Sequence, residues 1–318
     1  MAPRLPDFFE IGHPKSGATA LYEMLRRHPQ IYMSDVKEPR FFASDLPSSF
    51  QRQSDAPSAS YEDYLALFDG AAPHQRVGEA STAYIWSQTA AARIAQAQPD
   101  ARIIAILREP ASFVRSMHLQ LLQIRIEQEP NLRKAIALED SRREGRNLPS
   151  VVARWPQVLL YTDRVRYVEQ LRRYYELFAP EQVLVLIYDD FHDDNEATVR
   201  KVLRFLDVDD SAAIETVQAN PTVRMRSGRI DDLVHAVNQG QGSLGRALKS
   251  TARVALPSKR LRQEAFWLVR RRVVFGKPRP PDKRFMLDLR HRFKAEVQAL
   301  SEYIDRDLVT LWGYDSLG

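Results

Sequence analysis

Two kinds of apolar run alternate along the chain. Residues 8–12, 101–107 and 183–188 form short, nearly continuous apolar stretches, as strands buried on both faces require. A fourth strand is expected at 76–79, while Ile31-Tyr32-Met33 leads into a loop. Helical spacing marks 20–28, 88–98, a stretch from about 111, 158–178 and 196–206. Strands alternating with helices over the first two thirds predict an α/β fold, a doubly wound parallel sheet flanked by helices. Beyond about residue 220 the pattern becomes helical and basic, ending in an amphipathic helix at 285–311 with Trp312 as a packing anchor. No internal repeat divides the chain, so 1–318 reads as a single domain whose part from about 220 to 318 is helical.

Composition narrows the classes. The 318 residues are 44% hydrophobic and 27% charged, values of a globular protein that exclude wholesale disorder and fibrous repeats. The net charge of +5 suits an anionic ligand without arguing for nucleic acid. With no cysteine, disulfide frameworks, thiolate metal sites and cysteine nucleophiles are excluded. No leader or spanning run is visible, and a soluble, cytoplasmic protein is expected.

The chemistry concentrates where the first strand meets the first helix. Gly12-His13-Pro14-Lys15-Ser16-Gly17-Ala18-Thr19 has the glycine spacing of a nucleotide phosphate loop, but Ala18 stands where that loop carries lysine. Backbone N–H groups at such a turn converge on an anion at the helix N-terminus. Lys15 adds a point charge, and Ser16 and Thr19 add hydroxyls. The plain alternative is a strand–turn–helix junction that happens to contain Gly and Lys; the flanking strand and helix disfavour it.

Arg108 ends the third buried strand and Ser116 follows one to two turns into the next helix. Ligands of open parallel sheets bind at the carboxyl ends of strands, so Arg108 and the loop can share a crevice, and the Arg–Ser pair suits a phosphate. Lys37-Glu38-Pro39-Arg40-Phe41-Phe42 places a carboxylate ahead of two aromatics. In a partly apolar cleft burial raises its pKa and makes it a better base; alternatively Glu38 pairs with Lys37 or Arg40 on a solvated turn and the aromatics are core. His13 and His118 are the competing bases.

These motifs resemble the sulfotransferases that use 3′-phosphoadenosine-5′-phosphosulfate (PAPS), bacterial members and carbohydrate sulfotransferases in particular. Pro14 through Leu21 is similar to the family's P-K-S-G-T-T-x-L loop, which holds the 5′-phosphate and the sulfuryl group. Ile106-Leu107-Arg108-Glu109-Pro110 with Ser116 resembles the element that grips the 3′-phosphate, and Glu38 falls on the E-x-x-F-F glutamate that is the catalytic base in heparan-type enzymes. Gly78-Glu79-Ala80-Ser81-Thr82-Ala83-Tyr84 looks like the active-site segment G-E-K-T-P-x-Y, with Ala80 in place of lysine and Thr82 in place of proline. Lys37 or Arg40 would then supply the missing charge, or Lys15 alone serves.

The resemblance implies a P-loop-type sheet, PAPS as co-substrate, PAP (adenosine 3′,5′-bisphosphate) as product, and no required metal. It implies nucleotide contacts from Pro14, Lys15, Ser16, Gly17, Ala18, Thr19, Arg108 and Ser116, with Arg226 and Ser227 of a late basic loop as further candidates. Lys15 and Glu38 would be catalytic. The acceptor would be a hydroxyl on a carbohydrate, glycolipid or small molecule, chosen by segments such as 44–60 and 120–157. A basic stretch at 251–280, with nine Lys and Arg side chains against Glu264 alone, is a candidate for peripheral membrane contact or for guiding an acceptor. The rival classes are a P-loop kinase or other nucleoside-triphosphate enzyme, and a non-catalytic nucleotide- or membrane-binding module.

Overall fold

In the computed structural model, residues 4–47, 60–153, 155–215, 224–225, 258, 275–276 and 280–317 are described. The stretch Phe8–Gly12 forms a strand with every residue buried. Only the interior of a sheet covered on both faces can hold such a run. This strand, β1, is flanked by β2 (Ile31–Met33), β3 (Arg76–Ala80), β4 (Arg102–Leu107) and β5 (Val183–Ile187) in the order β2-β3-β1-β4-β5, and all neighbours are parallel. The expected doubly wound sheet is therefore present.

Helices cover both faces. Chain order gives α1 (Ala18–Leu25), α2 (Tyr61–Ala66), α3 (Ala90–Ala97), α4 (Pro110–Gln123), α5 (Leu132–Ala137), α6 (Glu139–Arg143), α7 (Tyr167–Tyr175), α8 (Tyr188–Asp193), α9 (Asn195–Phe205), α10 (Lys283–Tyr303) and α11 (Leu308–Leu311). Side chains alternate across the sheet. Phe9 and Ile11 pack into the layer containing Phe42, Tyr84 and Phe113, whereas Phe8 joins Ala80, Ile104, Ile106 and the apolar side chains of α1 and α9. The long α10 lies across α4 and α7. Trp312 is buried, its indole N–H donating to Asp189 Oδ2 at 2.9 Å.

Three expectations change. Ile31-Tyr32-Met33 is an edge strand rather than the start of a loop, because it pairs with β3. The stretch expected to be helical over 158–178 is an α-helix only from Tyr167; before it come 3₁₀ turns at Pro156–Leu159 and Asp163–Val165. These turns bring Tyr161 inward, where its hydroxyl donates to Glu127 at 2.8 Å, beside the buried two-pronged Arg142–Glu127 ion pair. The closing helix is interrupted between Tyr303 and Leu308, where Asp305 adopts a left-handed φ of 50°. Of the segments 44–60 and 251–280, only 44–47, 60, 258, 275–276 and 280 are among the described residues.

Gly12 fixes how closely β1 approaches β4. It has φ 141°, and a Cβ there would stand 2.7 Å from the Ile106 backbone N and O. Gly12→Ala is expected to cost about 2–4 kcal/mol in urea unfolding; an unchanged midpoint would contradict this close approach.

Candidate active site

Between β1 and β4 the chain changes direction, since β2 and β3 lie to one side of β1 and β4 and β5 to the other. That switch point opens a crevice at the carboxyl ends of both strands. The turn after Gly12 lies there, with Lys15 (φ 66°) and Gly17 (φ 96°) in left-handed conformations. A Cβ on Gly17 would meet the Phe191 ring at 2.8 Å. Gly17 is the N-cap of α1 but supplies no side-chain cap, and the buried Ser16 hydroxyl has no hydrogen-bond partner. Both features fit a helix N-terminus that receives an anion. Pro14 and Thr19 are half-buried at this turn, while the Ala18 methyl is buried in the apolar layer beneath α1.

Arg108, just past β4, donates from Nη1 to the Lys15 carbonyl at 2.8 Å, and its guanidinium lies 4.4 Å from the Tyr188 ring centre. The predicted loop and arginine are thus joined directly. Burial and then the Arg108 charge push the Lys15 ammonium below its usual pKa, and the same two causes act on Arg115. Lys15, Arg108 and Arg115 therefore form one cationic cluster. Arg115 is a member the sequence reading missed; its adjacency to the Ser116 of the recognised element was the available signal. Ser116 itself is buried on α4. Arg226 and Ser227 lie outside the described residues, but the preceding pair Arg224–Met225 forms β6, which pairs with β7 (Phe275–Gly276) and packs against α4.

Glu38 sits in a second arrangement. Its N–H donates to the Ala80 carbonyl at 2.9 Å, and its backbone takes a left-handed φ of 62°. Oε1 accepts from the Thr82 hydroxyl at 2.8 Å, the Thr82 N–H at 3.2 Å and Lys37 Nζ at 3.2 Å; Oε2 accepts from Arg40 Nε at 3.2 Å. Burial pushes this carboxyl up, but Lys37, Arg40 and the Thr82 hydrogen bonds outweigh it and bring the pKa down to about 2. The expected rise in basicity is absent because two cations and two donors compensate the desolvation. Glu38 does pair with both Lys37 and Arg40, as in the plainer reading, but in a half-buried pocket. Thr82, noted only as a departure from a motif, holds the carboxylate in place. Phe42 is buried in the core, edge-on to Phe9, and the partly buried Phe41 stacks on Tyr64 at 4.5 Å against it, so both anchor this segment.

Two further carboxyls lie nearby. Glu79 accepts from Tyr64 at 2.6 Å and Ser81 at 2.7 Å, while Ser81 in turn accepts the Arg40 N–H at 3.0 Å. Burial raises the Glu79 carboxyl to about 7. Glu10, in the middle of β1, is fully buried with no partner on either oxygen, and burial raises it to about 8.

The two histidines are structural in their surroundings. His13 is fully buried between Phe113 and Tyr167, bonded to Gln170 at 2.8 Å, and burial drives its pKa to about 3. His118 bonds the Glu129 carbonyl at 2.8 Å and is also lowered by burial. Among the described residues no group of three or more His, Asp or Glu could hold a metal, and no helix is long and apolar enough to cross a membrane.

Residues 5–239 match the sulfotransferase domain model. Carbohydrate sulfotransferase 15 of Mus musculus is 28% identical over 249 aligned positions, covering 64% of this chain and 44% of that protein. Membrane-associated sulfotransferase kil1 of Dictyostelium discoideum is 32% identical over 106 positions, 33% of this chain and 21% of its own length. The chain thus spans less than half the length of these curated relatives. A crystal structure of a sulfotransferase from Alicyclobacillus acidocaldarius shares the fold at a TM-score of 0.60 and 27% identity, over 78% of this chain and 96% of that one.

The raised Glu10 carboxyl has a consequence for stability. Its folded pKa of about 8 lies above the ordinary 4.5, so its contribution is fully present below pH 4.5 and is lost as pH rises through 8. The stability of Glu10→Gln relative to the wild type is expected to grow between those limits in thermal unfolding. A difference that stays constant with pH would contradict the raised value.

Proposed function

The chain belongs to the sulfotransferase domain family, and on that premise we propose that it moves a sulfuryl group from PAPS to the hydroxyl of an acceptor. The observation that carries this reading is the Arg108 bond to the Lys15 turn at the uncapped start of α1, where the Arg108 charge acts on both Lys15 and Arg115, together with a Glu38 carboxylate held by Thr82 on a segment bonded to Ala80. Like charges brought together in a half-buried crevice call for a multiply charged anion. A nucleotide with phosphates at both the 3′ and 5′ positions answers that demand.

In this scheme Pro14, Lys15, Ser16, Gly17, Ala18 and Thr19 wrap the 5′-phosphosulfate, and Arg108 and Ser116 grip the 3′-phosphate. Arg226 and Ser227 remain candidates for the same end of the nucleotide. The acceptor oxygen attacks sulfur in line with the departing phosphate oxygen. A new S–O bond forms, the S–O bond to the 5′-phosphate breaks, and its electron pair leaves on PAP. Lys15 offsets the charge arriving on that phosphate, Thr19 orients the sulfuryl oxygens, and Glu38 takes the hydroxyl proton. A carboxyl at about pKa 2 is a weak base, so its cations must loosen during turnover. Lys37 and Arg40 are suited to do so, since a sulfuryl anion competes with Glu38 for their charge; they also provide the cation that Ala80 lacks. No metal is needed at any step.

A carbohydrate acceptor is favoured by the names of the curated relatives, with glycolipid and small-molecule hydroxyls as the other members of the proposed class. A phosphoryl-transfer enzyme is disfavoured by Ala18, whose buried methyl stands where a γ-phosphate lysine would be. Membrane contact through 251–280 is a proposal from sequence alone.

Transfer of ³⁵S from labelled PAPS to a pool of hydroxyl acceptors, without added Mg²⁺, is the expected activity. Mg²⁺-dependent ATP turnover with no label transfer would reverse the assignment. Lys15→Ala should lower kcat by about 10²-fold or more at unchanged melting temperature. Glu38→Gln should retain PAP binding and lose about 10²-fold or more in kcat; undiminished transfer would remove Glu38 as the base.

A further inference from the structure

Glu10 is a buried titratable group that this chemistry leaves unused. It occupies the middle of the central strand, fully buried, with both carboxylate oxygens lacking a hydrogen-bond partner. Desolvating a polar group without compensation is costly, and an apolar side chain would serve packing better at a position flanked by Phe8, Phe9 and Ile11. Paired residues on parallel strands share a face, and Glu10 is registered with Ala80 on β3 and Ile104 on β4, both in the apolar layer beneath α1. Neither neighbour offers a polar side chain.

Ala80 is also the residue whose carbonyl receives the Glu38 N–H. The segment carrying Lys37 and Glu38 is thereby fastened to the strand residue beside Glu10. Lys37 and Glu38 are the charged groups that act on Glu10. From α1 the titratable group facing this region is Tyr22, with the Lys37 ammonium 5.9 Å from its ring centre. On β3, Glu79 is directed to the opposite layer, where it meets Tyr64. From Ile103 to Leu107, β4 contributes no titratable side chain, and the charges that act on Glu10 do not include Lys15 of the phosphate loop, whose backbone is bonded by Arg108.

We propose that Glu10 is a positioning residue for the transfer step: once ionised, it draws the Lys37 ammonium away from Glu38, and the Glu38 carboxylate, relieved of one of its two cations, takes the acceptor proton. This rests on Glu38 being the base. Glu10 forms no covalent bond; its own proton goes to solvent on ionisation, and the acceptor proton goes to Glu38. Because burial holds Glu10 at about 8, the change falls within an ordinary working range. Below it Glu10 is neutral and Lys37 stays on Glu38.

The test is carbon-13 NMR of the full chain labelled at glutamate Cδ and saturated with PAP, with binding first verified by calorimetry. The signal lost in Glu10→Gln should titrate near 8. The signal lost in Glu38→Gln should step with the same midpoint, and in Glu10→Gln that step should vanish. A Glu38 signal that ignores the Glu10 midpoint, or a step that persists in Glu10→Gln, overturns the proposal. Should Glu10→Gln fold poorly, Lys37→Met provides a second reading. It removes the cation that lowers the Glu10 carboxyl, so the Glu10 midpoint should move up and the Glu38 step disappear; an unmoved midpoint again overturns it. In label transfer, kcat should rise through the same pH in the wild type and stay flat in Glu10→Gln. Failure to bind PAP defeats the functional reading, whereas PAP binding without coupled carboxyl titrations defeats this inference alone.

Discussion

A guanidinium from the tip of one strand is bonded to the backbone of the lysine turn at the tip of its neighbour. Arg108, leaving β4, donates to the carbonyl of Lys15 in the turn after β1, and Arg115 brings a third positive charge from the first turns of α4. Burial makes the Lys15 and Arg115 charges more expensive, and repulsion from Arg108 adds to that cost. Gly12 allows β1 and β4 to close to the distance at which this contact forms, and Gly17 lets α1 start without a side-chain cap. The strand order, the left-handed turn and the helix direction converge on one place, where positive charge gathers.

The carboxylate side is built on a different principle. Glu38 is held by Thr82 through both a backbone and a side-chain donor, and by two cations of its own segment. Glu79 and Ser81 fix that segment from below through the Arg40 N–H, and Phe41 and Phe42 root it in the core. The result is a carboxylate that is well placed but over-stabilised. Position and basicity are separate requirements, and a group that meets the first at the expense of the second needs a way to release its counter-charges. Glu10, uncompensated and acted on by the charge of the same lysine, is the internal source proposed for that release.

Much of this was legible in the chain itself. The runs at 8–12, 101–107 and 183–188 announced buried strands because an apolar residue at nearly every position has few other uses in a parallel sheet, and the glycine-flanked turn with Lys15 marked the anion site. Ile31-Tyr32-Met33 was not legible as a strand, since three residues are too few to show a period and its pairing with β3 is a tertiary fact. The stretch 158–178 kept a helical spacing, yet Tyr161 is turned inward to Glu127, and a buried hydrogen bond outweighs local propensity there. Thr82, Arg115 and Glu10 were missed for a common reason: each acts through a neighbour supplied by another strand or helix. The Glu38 carboxyl was expected to be raised because burial is visible in a pair of following aromatics, whereas the two Thr82 donors that reverse the sign come from more than forty residues away.

The central claim is that the cations at the ends of β1 and β4 form a seat for a doubly phosphorylated adenosine. Isothermal titration of PAP into the wild-type chain and into Arg108→Ala measures it directly. The account predicts saturable binding at one site per chain that weakens as salt is raised, and an affinity at least about tenfold lower in the folded Arg108→Ala variant. A folded wild-type chain that gives no saturable binding, or an Arg108→Ala variant that binds as tightly as the wild type, would contradict it.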